Sequence, residues 1–329
     1  MRIVTLEEHF ITQSFLKATA SYALPNPQLE ILRAKLLDLG PGRIAAMDEA
    51  GVDMQVLSLT TIGIESLEAA YATTLIHDVN DELAAAVAAN PDRLAGFANL
   101  ALQNPHDAAQ ELERCITTLG FHGALVNGLS GGAFLDDPYF TPLFEAAQAL
   151  DVPIYLHPAP PPEPVEEAYF SGLPGVTGEM LSIAGWGWHV EAGLHALRLI
   201  VSGLFDHFPR LQIIIGHMGE NLPYSLARSA AILAPVCGHL QRPLTEYFHE
   251  NFHVTTSGYS SHPPFLCALQ VVGVDRMLYS VDYPFCEMTT GQAFLNGLSL
   301  APADCEKFTH KNAEALLRLK VSPPVARDR

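Results

Sequence analysis

The feature that most constrains the fold is an alternation of short apolar segments with longer amphipathic ones along nearly the whole chain. Apolar and β-branched residues dominate the short segments, whereas the longer ones repeat apolar residues every three or four positions, as helices do. The predicted strands cover residues 2–9, 53–59, 93–100, 123–127, 152–157, 211–217, 252–257 and 276–282. Eight strands that alternate with helices predict an α/β protein, a (β/α)₈ or TIM barrel.

A doubly wound parallel sheet is the structural alternative. The nucleotide-binding members of that class carry a G-x-G-x-x-G turn after a strand, whereas Gly131 and Gly132 lie in a loop without that spacing. The composition does not change between the two halves of the chain, which favours one domain over residues 1–329. Residues 159–187, after the fifth predicted strand, are rich in proline and glycine and predict a loop insertion, a candidate lid.

The composition argues against several classes of function. The 36 acidic residues outnumber the 18 lysines and arginines, and a net charge of −18 disfavours binding to nucleic acid. No apolar run reaches the roughly 18 residues that a membrane span requires. The 5 cysteines include no C-x-x-C pair, and the amino terminus is unlike a signal peptide, so we expect a cytoplasmic protein with reduced thiols.

Potential metal ligands recur at the carboxyl ends of the predicted strands. Glu7 and His9 end the first strand, and the alternation of side chains places them on one face with Glu8 on the other. His157 ends the fifth strand and Asp282 ends the eighth. Barrel enzymes build their active sites at these strand ends, so we expect the side chains to converge. Two carboxylates and two imidazoles suit one divalent ion, Zn²⁺ or Mn²⁺.

Further candidates lie near these ligands. The sixth predicted strand ends in His217, and Glu220 follows three residues later, where it can orient the second ring nitrogen or an adjacent water. The alternative for Glu220 is a carboxylate that stabilises the N-terminus of the next helix. His189 and His195, close to the proline-rich segment, are two further histidines within possible reach of the site.

Segments around these residues carry a family resemblance. They include Leu6-Glu7-Glu8-His9-Phe10, Tyr155-Leu156-His157-Pro158, Gly216-His217-Met218-Gly219-Glu220 and Ser280-Val281-Asp282-Tyr283-Pro284-Phe285. In this order, and over nearly the whole chain, the sequence resembles the aminocarboxymuconate-semialdehyde decarboxylase-like branch of the amidohydrolase superfamily. Within that branch it resembles the γ-resorcylate and 2,3-dihydroxybenzoate decarboxylases most. The resemblance implies a barrel that holds one divalent metal through Glu7, His9, His157 and Asp282, with His217 and Glu220 assisting.

The resemblance also implies an activity and a substrate pocket. The pocket would be lined by Asn127, Phe285 and Arg228, in a homodimer or homotetramer that places Arg228 at the substrate. The implied reaction is the metal-dependent, non-oxidative decarboxylation of a small hydroxylated aromatic acid, with Asp282 as the proton donor and His217 as the second candidate. The same residues would also serve a hydrolase of a lactone, an amide or a related carbonyl compound, and the sequence leaves this alternative open. A barrel without catalytic activity is a third alternative, which the complete ligand set disfavours.

Overall fold

The computed structural model describes residues 1–19, 27–60 and 64–320. The strands of this part of the chain are β1 (Val4–Phe10), β2 (Met54–Leu59), β3 (Leu94–Gly96), β4 (Ala98–Asn99), β5 (Ala124–Asn127), β6 (Ile154–His157), β7 (Ile213–Ile215), β8 (Phe252–Thr255) and β9 (Met277–Leu278). All paired neighbours are parallel. Only Phe97 separates β3 from β4, and its backbone N–H donates to the Leu57 carbonyl at 2.9 Å, so the two form one barrel strand.

The ring of strands closes between its first and last members. The strands follow one another in sequence order from β1 to β3 and from β4 to β9. A single parallel bridge between Leu6 and Ser280 then joins β1 to the segment that follows β9. The backbone N–H of His9 also donates to the Tyr283 carbonyl, at 2.7 Å. The described strands therefore form a closed eight-stranded barrel, and the fold predicted from the sequence is confirmed.

Helices connect the strands and pack around the barrel. Within the described residues they span Gln13–Ala18, Pro27–Leu37, Pro41–Ala50, Ala69–Ala89, Pro105–Thr117, Thr141–Leu150, Glu163–Phe170, Thr177–Ser182, Gly187–Val201, Leu204–His207, His217–Glu220, Leu222–Leu233, Leu244–Asn251, His262–Val272, Met288–Gly297, Pro302–Glu306 and Asn312–Leu317, with a π-helical turn at Lys307–Lys311. None of these helices is both long enough and apolar enough to cross a membrane.

The proline-rich segment after β6 contains two short helices, Glu163–Phe170 and Thr177–Ser182. Pro164 lies in the first turn of helix Glu163–Phe170. Proline is tolerated there because a backbone N–H in the first turn has no partner within the helix. Most side chains of the two helices are exposed. A lid function for residues 159–187 stays a prediction.

Apolar side chains fill the interior of the barrel. They form one buried cluster, to which nearly every strand contributes: Val4, Leu6, Met54, Val56, Ala95, Phe97, Leu125, Tyr155, Ile214 and Leu278. Ala313, Leu317 and Leu319 belong to the same cluster, so the last described helix closes the amino-terminal end of the barrel. A larger apolar cluster lies between the strands and the helices. The polar strand ends therefore lie next to a buried apolar interior.

Strand β1 is irregular where it reaches its polar end. Its register pairs Thr5 with Gln55 but Glu8 with Leu57, so β1 has one extra residue between these pairs, a β-bulge. Glu7 lies in this bulge with φ at 60°. Leu6 packs in the barrel interior, and Glu7 also turns inward, where its Oε2 accepts the Tyr155 hydroxyl. Two consecutive side chains thus face the interior.

Candidate metal centre

The four predicted metal ligands meet at the carboxyl end of the barrel. Nε2 of His157 lies 3.0 Å from Oε1 of Glu7, and Nε2 of His9 lies 3.3 Å from Oδ1 of Asp282. The two imidazole rings are 5.1 Å apart and meet edge to face. Glu7, His9 and His157 are buried, whereas 16% of the Asp282 side chain is exposed. Solvent therefore reaches the group from the Asp282 side.

The ligand atoms fit a divalent cation. Oε1 of Glu7 and Nε2 of His9 are buried, and neither makes an aligned hydrogen bond among the described residues, although His157 and Asp282 lie close to them. Burying polar atoms without a partner costs free energy, and a cation would compensate both atoms at once. Nδ1 of His157 lies 2.7 Å from the Pro158 carbonyl, and Nδ1 of His9 lies 3.4 Å from the Ser58 hydroxyl. These contacts point Nε2 of each ring to the centre, as is usual for metal-binding histidines.

The carboxylate of Glu7 is held from below. The hydroxyl of Tyr155 donates to its Oε2 and lies 2.8 Å from the Thr255 hydroxyl. A Cβ atom added at Gly216 would lie 2.6 Å from the same Oε2. Glycine immediately before His217 is therefore required for space, which the sequence alone does not show.

His217 faces the same group from the other side. Its Nε2 lies 3.7 Å from Oε1 of Glu7 and 3.9 Å from Oδ2 of Asp282. Its Nδ1 lies 2.7 Å from Oε1 of Glu220. Burial lowers the pKa of His217, but the charges of Glu220 and Glu7 outweigh burial and raise this pKa well above its usual value. The carboxylates around His217 thus favour the protonated form of its imidazole.

Asp282 has the opposite protonation preference. Burial raises its pKa, but the contacts with His217 and His9 outweigh burial and lower the pKa to about 2. The carboxylate is therefore ionised at neutral pH, beside the imidazolium of His217. A protonated histidine next to an ionised aspartate at the solvent-facing edge is an arrangement that can hold and transfer one proton.

The backbone conformation directs these side chains inward. Glu7, His217, Glu220 and Asp282 all have positive φ, at 60°, 48°, 53° and 70°. A residue with a side chain pays about 1 to 3 kcal/mol for such a conformation, and it persists only where the surrounding structure fixes it. Four of the nine non-glycine residues with positive φ in the described part of the chain are thus residues that the sequence predicts for chemistry.

His189 contributes more to the site than sequence analysis indicated. Its Nδ1 lies 2.7 Å from Oε2 of Glu220, and its ring lies 4.6 Å from the His217 ring. The three-residue spacing predicts a contact between His217 and Glu220, but no spacing rule relates His189 to a residue 31 positions away. His195 turns elsewhere, because its Nε2 accepts the backbone N–H of Leu135 at 2.8 Å.

Two of the predicted substrate-lining residues lie beside the metal ligands. The Phe285 ring is 5.5 Å from the His9 ring and is 49% exposed. Asn127 pairs in register with His157, and its buried Oδ1 has no hydrogen-bond partner among the described residues. An apolar ring and a free hydrogen-bond acceptor therefore border the candidate centre.

Two further aromatic rings complete the border, and the third predicted lining residue lies elsewhere. The Trp188 ring is 6.4 Å from the His157 ring, and the Tyr259 ring is 5.7 Å from the His217 ring. Arg228 is exposed on helix Leu222–Leu233. Its predicted role at a substrate pocket requires a partner subunit and stays a prediction.

The chain is similar to known proteins in both sequence and structure. The amidohydrolase family profile matches residues 22–319. A γ-resorcylate decarboxylase of Polaromonas sp. (strain JS666) is 38% identical over 327 residues, which cover 96% of this chain and 98% of the relative.

Solved structures similar to this chain include decarboxylases of dihydroxybenzoic acids. A dihydroxybenzoic acid decarboxylase of Polaromonas sp. JS666, solved with bound manganese and the inhibitor 2-nitroresorcinol, is 37% identical, covers 98% of both chains and has a TM-score of 0.90. A 2,6-dihydroxybenzoate decarboxylase, solved with 2,6-dihydroxybenzoate, is 38% identical and has a TM-score of 0.88; the match covers 97% of this chain and 99% of that chain. The resemblance inferred from the sequence is confirmed, and the chain belongs to the amidohydrolase family.

Proposed function

We propose that this protein is a metal-dependent decarboxylase that removes CO₂, without oxidation, from a small hydroxylated aromatic acid of the 2,6-dihydroxybenzoate type. The observation that carries the proposal is the convergence of two carboxylates and two imidazoles at one end of the barrel. Two of the atoms that could bind a metal, Oε1 of Glu7 and Nε2 of His9, are buried and make no aligned hydrogen bond among the described residues. Relatives that share 37–38% of the sequence over nearly the full chain are named as decarboxylases of such acids.

Glu7, His9, His157 and Asp282 would hold the divalent ion, which is manganese in the solved relative. Zinc is compatible with the same nitrogen and oxygen donors. The ion supplies Lewis-acid chemistry when bound, because its charge stabilises the carboxylate and an adjacent hydroxylate of the substrate. The Asn127 Oδ1, buried without a partner among the described residues, is available to accept a hydrogen bond from a ring hydroxyl. The rings of Phe285 and Trp188 provide apolar surface for a flat substrate.

The chemical step consumes one proton. The ring carbon that bears the carboxylate gains this proton, the bond from that carbon to CO₂ then breaks, and its electron pair restores the aromatic ring. We assign the delivery of the proton to Asp282, which receives it from His217; their separation of 3.9 Å would be bridged by one water or would shorten when the substrate binds. Glu220 stabilises the charged imidazole between turnovers. The exposed edge of Asp282 then allows a new proton to enter from water.

We infer further that the active form is a homodimer or homotetramer. Arg228 is exposed on the same helix as Tyr224 and Ile232, whose side chains are 89% and 56% exposed. Large apolar side chains on one exposed helix are typical of a surface that a second subunit covers. In such an assembly Arg228 would approach the substrate of the neighbouring subunit. Light scattering of the wild-type protein and of Tyr224→Glu tests this inference, and a monomeric wild type contradicts it.

The proposed function is tested by incubating manganese-loaded protein with a panel of hydroxybenzoates and measuring CO₂ and the phenolic product. We expect 2,6-dihydroxybenzoate to yield resorcinol and one CO₂ per turnover, with no net oxidation. His157→Ala should lose both the bound manganese and the activity. Turnover of a lactone or an amide by manganese-loaded protein, without CO₂ from any acid of the panel, would establish the hydrolase instead.

A further inference from the structure

We propose that His189 is a positioning residue of the proton-transfer site, which acts on His217 through the carboxylate of Glu220. The proposal rests on the proposed function, because it gives His189 a part in delivering the proton of decarboxylation. His189 itself lies behind Glu220, away from the metal ligands, so it is not a catalytic residue in the strict sense.

Glu220 is held between two imidazole rings. Its Oε1 lies 2.7 Å from Nδ1 of His217, and its Oε2 lies 2.7 Å from Nδ1 of His189. The three side chains are buried, with residue exposures of 1% for Glu220, 6% for His217 and 3% for His189. A carboxylate that accepts one hydrogen bond at each oxygen cannot rotate without losing both. The contact with His189 therefore fixes the orientation in which Glu220 faces His217.

The neighbours of His189 determine which ring nitrogen carries its proton. The indole Nε1 of Trp188, which can only donate, lies 3.1 Å from Nε2 of His189. A neutral His189 therefore accepts at Nε2 and carries its proton on Nδ1, where it donates to Glu220. The Ala184 carbonyl lies 3.2 Å from the same Nε2, so a protonated ring also finds an acceptor there. Nδ1 donates to Glu220 in both states.

The helix that carries His189 is adapted to this contact. His189 and Gly193 are four residues apart on helix Gly187–Val201 and so lie on one face. A Cβ atom at Gly193 would lie 2.5 Å from the backbone carbonyl of Glu220. Only a glycine permits the helix to approach Glu220 this closely, which brings His189 within hydrogen-bonding distance. Among the described residues, two further titratable rings face His189: His217, 4.6 Å away between ring centres, and Tyr259, 5.5 Å away.

Loss of His189 should therefore affect proton delivery more than substrate binding. Without its donor, Oε2 of Glu220 becomes a buried acceptor with no partner, and the carboxylate turns away from His217 or takes up a proton. The His217 ring then loses the acceptor that orients it. The candidate ligands Glu7 and Asp282 lie on the other side of His217, so the metal contacts should be unchanged. The Trp188 indole loses the nitrogen to which it donates, but its ring should stay packed beside the His157 ring.

The test compares His189→Leu with His189→Asn in the full-length, manganese-loaded protein. The side-chain amide nitrogen of asparagine can replace Nδ1 as the donor to Glu220, whereas leucine fills similar space without a donor. We expect kcat for 2,6-dihydroxybenzoate to fall about 10-fold or more in His189→Leu, with KM within about 2-fold of wild type. His189→Asn should recover most of kcat. Bound manganese should equal the wild-type content in both variants.

A second measurement does not depend on activity. Crystal structures of the same proteins should show the Glu220 carboxylate within hydrogen-bonding distance of Nδ1 of His217 in wild type and His189→Asn, and displaced from it in His189→Leu. The inference is overturned if both the kcat and the Glu220 orientation of His189→Leu match wild type. It is also overturned if asparagine restores neither. A wild-type protein without decarboxylase activity would contradict the proposed function, and the Glu220 orientation would still decide the role of His189.

Discussion

Glu8 accepts a hydrogen bond from the backbone N–H of Tyr283 at 3.0 Å, and its second oxygen accepts the N–H of Val281 at the same distance. The ligand Asp282 lies between these two donors. Glu8 is fully buried on the face of β1 opposite to Glu7 and His9, where Gln55 approaches it at 3.4 Å. The Glu8 carboxylate thus links β1, which carries the candidate ligands Glu7 and His9, to the segment that carries the candidate ligand Asp282.

The first prediction concerns Glu8→Gln. An amide has only one oxygen, so either Val281 or Tyr283 loses its acceptor, which should lower the free energy of unfolding by about 1 to 3 kcal/mol. Asp282 should also be less well oriented, with about 10-fold weaker manganese binding. Competition with a chelator measures this binding, and Glu7→Gln should weaken it more. Unchanged manganese affinity, as simple strand alternation predicts, would show that Glu8 does not position Asp282.

A second prediction concerns removal of the metal. The ligands come from β1, from β6 and from the segment after β9, so the ion should link strands that are far apart in sequence. Manganese at about 100 times its dissociation constant should raise the free energy of unfolding by about 2.7 kcal/mol. Urea denaturation with manganese and with chelator measures the difference. His157→Ala should show almost none of it; an equal manganese effect in this variant would place the ion elsewhere.

The third prediction is that Gly216→Ala disrupts the candidate metal site through a steric clash with Glu7. The φ of Gly216 is −79°, which any residue adopts, so the backbone itself tolerates alanine. The new Cβ would meet Oε2 of Glu7 at 2.6 Å and the Tyr155 hydroxyl at 3.1 Å. We expect at least about 10-fold weaker manganese binding and a loss of about 1 to 3 kcal/mol in stability. Gly238→Ala is the control, since its Cβ would have no atom within 4 Å; equal effects would refute the steric explanation.

The fourth prediction is acid sensitivity of folding. Burial lowers the pKa of His195 to about 4, and burial together with the charge of Arg276 lowers the pKa of His253 to about 3. Unfolding returns both to about 6.5, so the unfolded chain binds more protons below that pH. Stability is thus fully present above pH 6.5 and falls as the pH decreases toward 3, by roughly 2 to 3 kcal/mol per histidine at pH 4.5.

Denaturation curves between pH 7 and 4.5 test this. In His253→Gln the amide oxygen can replace the ring nitrogen that accepts from Arg276 at 2.9 Å, and it cannot be protonated in this range. The variant should lose less stability on acidification, by roughly 2 to 3 kcal/mol. An identical pH dependence in wild type and His253→Gln would show that His253 does not contribute.

The barrel and the convergence of the candidate metal ligands are largely predictable because both depend on patterns of short range. Apolar strand bodies, helical spacing and polar strand ends are visible in the sequence, and the fold brings the ends together. The relation of His189 to Glu220 is different, since it depends on how closely one helix packs on a turn. Arg228 is a further case, because a single chain shows only that it is exposed. Contacts that depend on tertiary or quaternary packing leave no periodic pattern in the sequence from which they could be predicted.

Strand β1 shows the same limit of sequence-based prediction for the direction of a single side chain. Alternation between Glu7, Glu8 and His9 predicts their relative directions, and the structure has Glu7 and His9 together with Glu8 opposite. Counting onward from Leu6 in the interior would instead turn Glu7 outward. The bulge resolves the conflict, and it is visible only in the structure, as a register shift against β2 and as the positive φ of Glu7.

That bulge makes the chemistry of this barrel sensitive to the length of a single strand. Loss of one residue between Thr5 and Glu8 would restore regular pairing with β2. Loss of Leu6 would leave Glu7 and His9 on the inner face but remove an apolar side chain from the barrel interior, whereas loss of Glu7 would keep the apolar body of the strand and remove a candidate ligand. A one-codon deletion is therefore a short evolutionary path from a metal enzyme to an inert barrel, and the reverse insertion is an equally short path for a designer who wants to install a centre in a plain one.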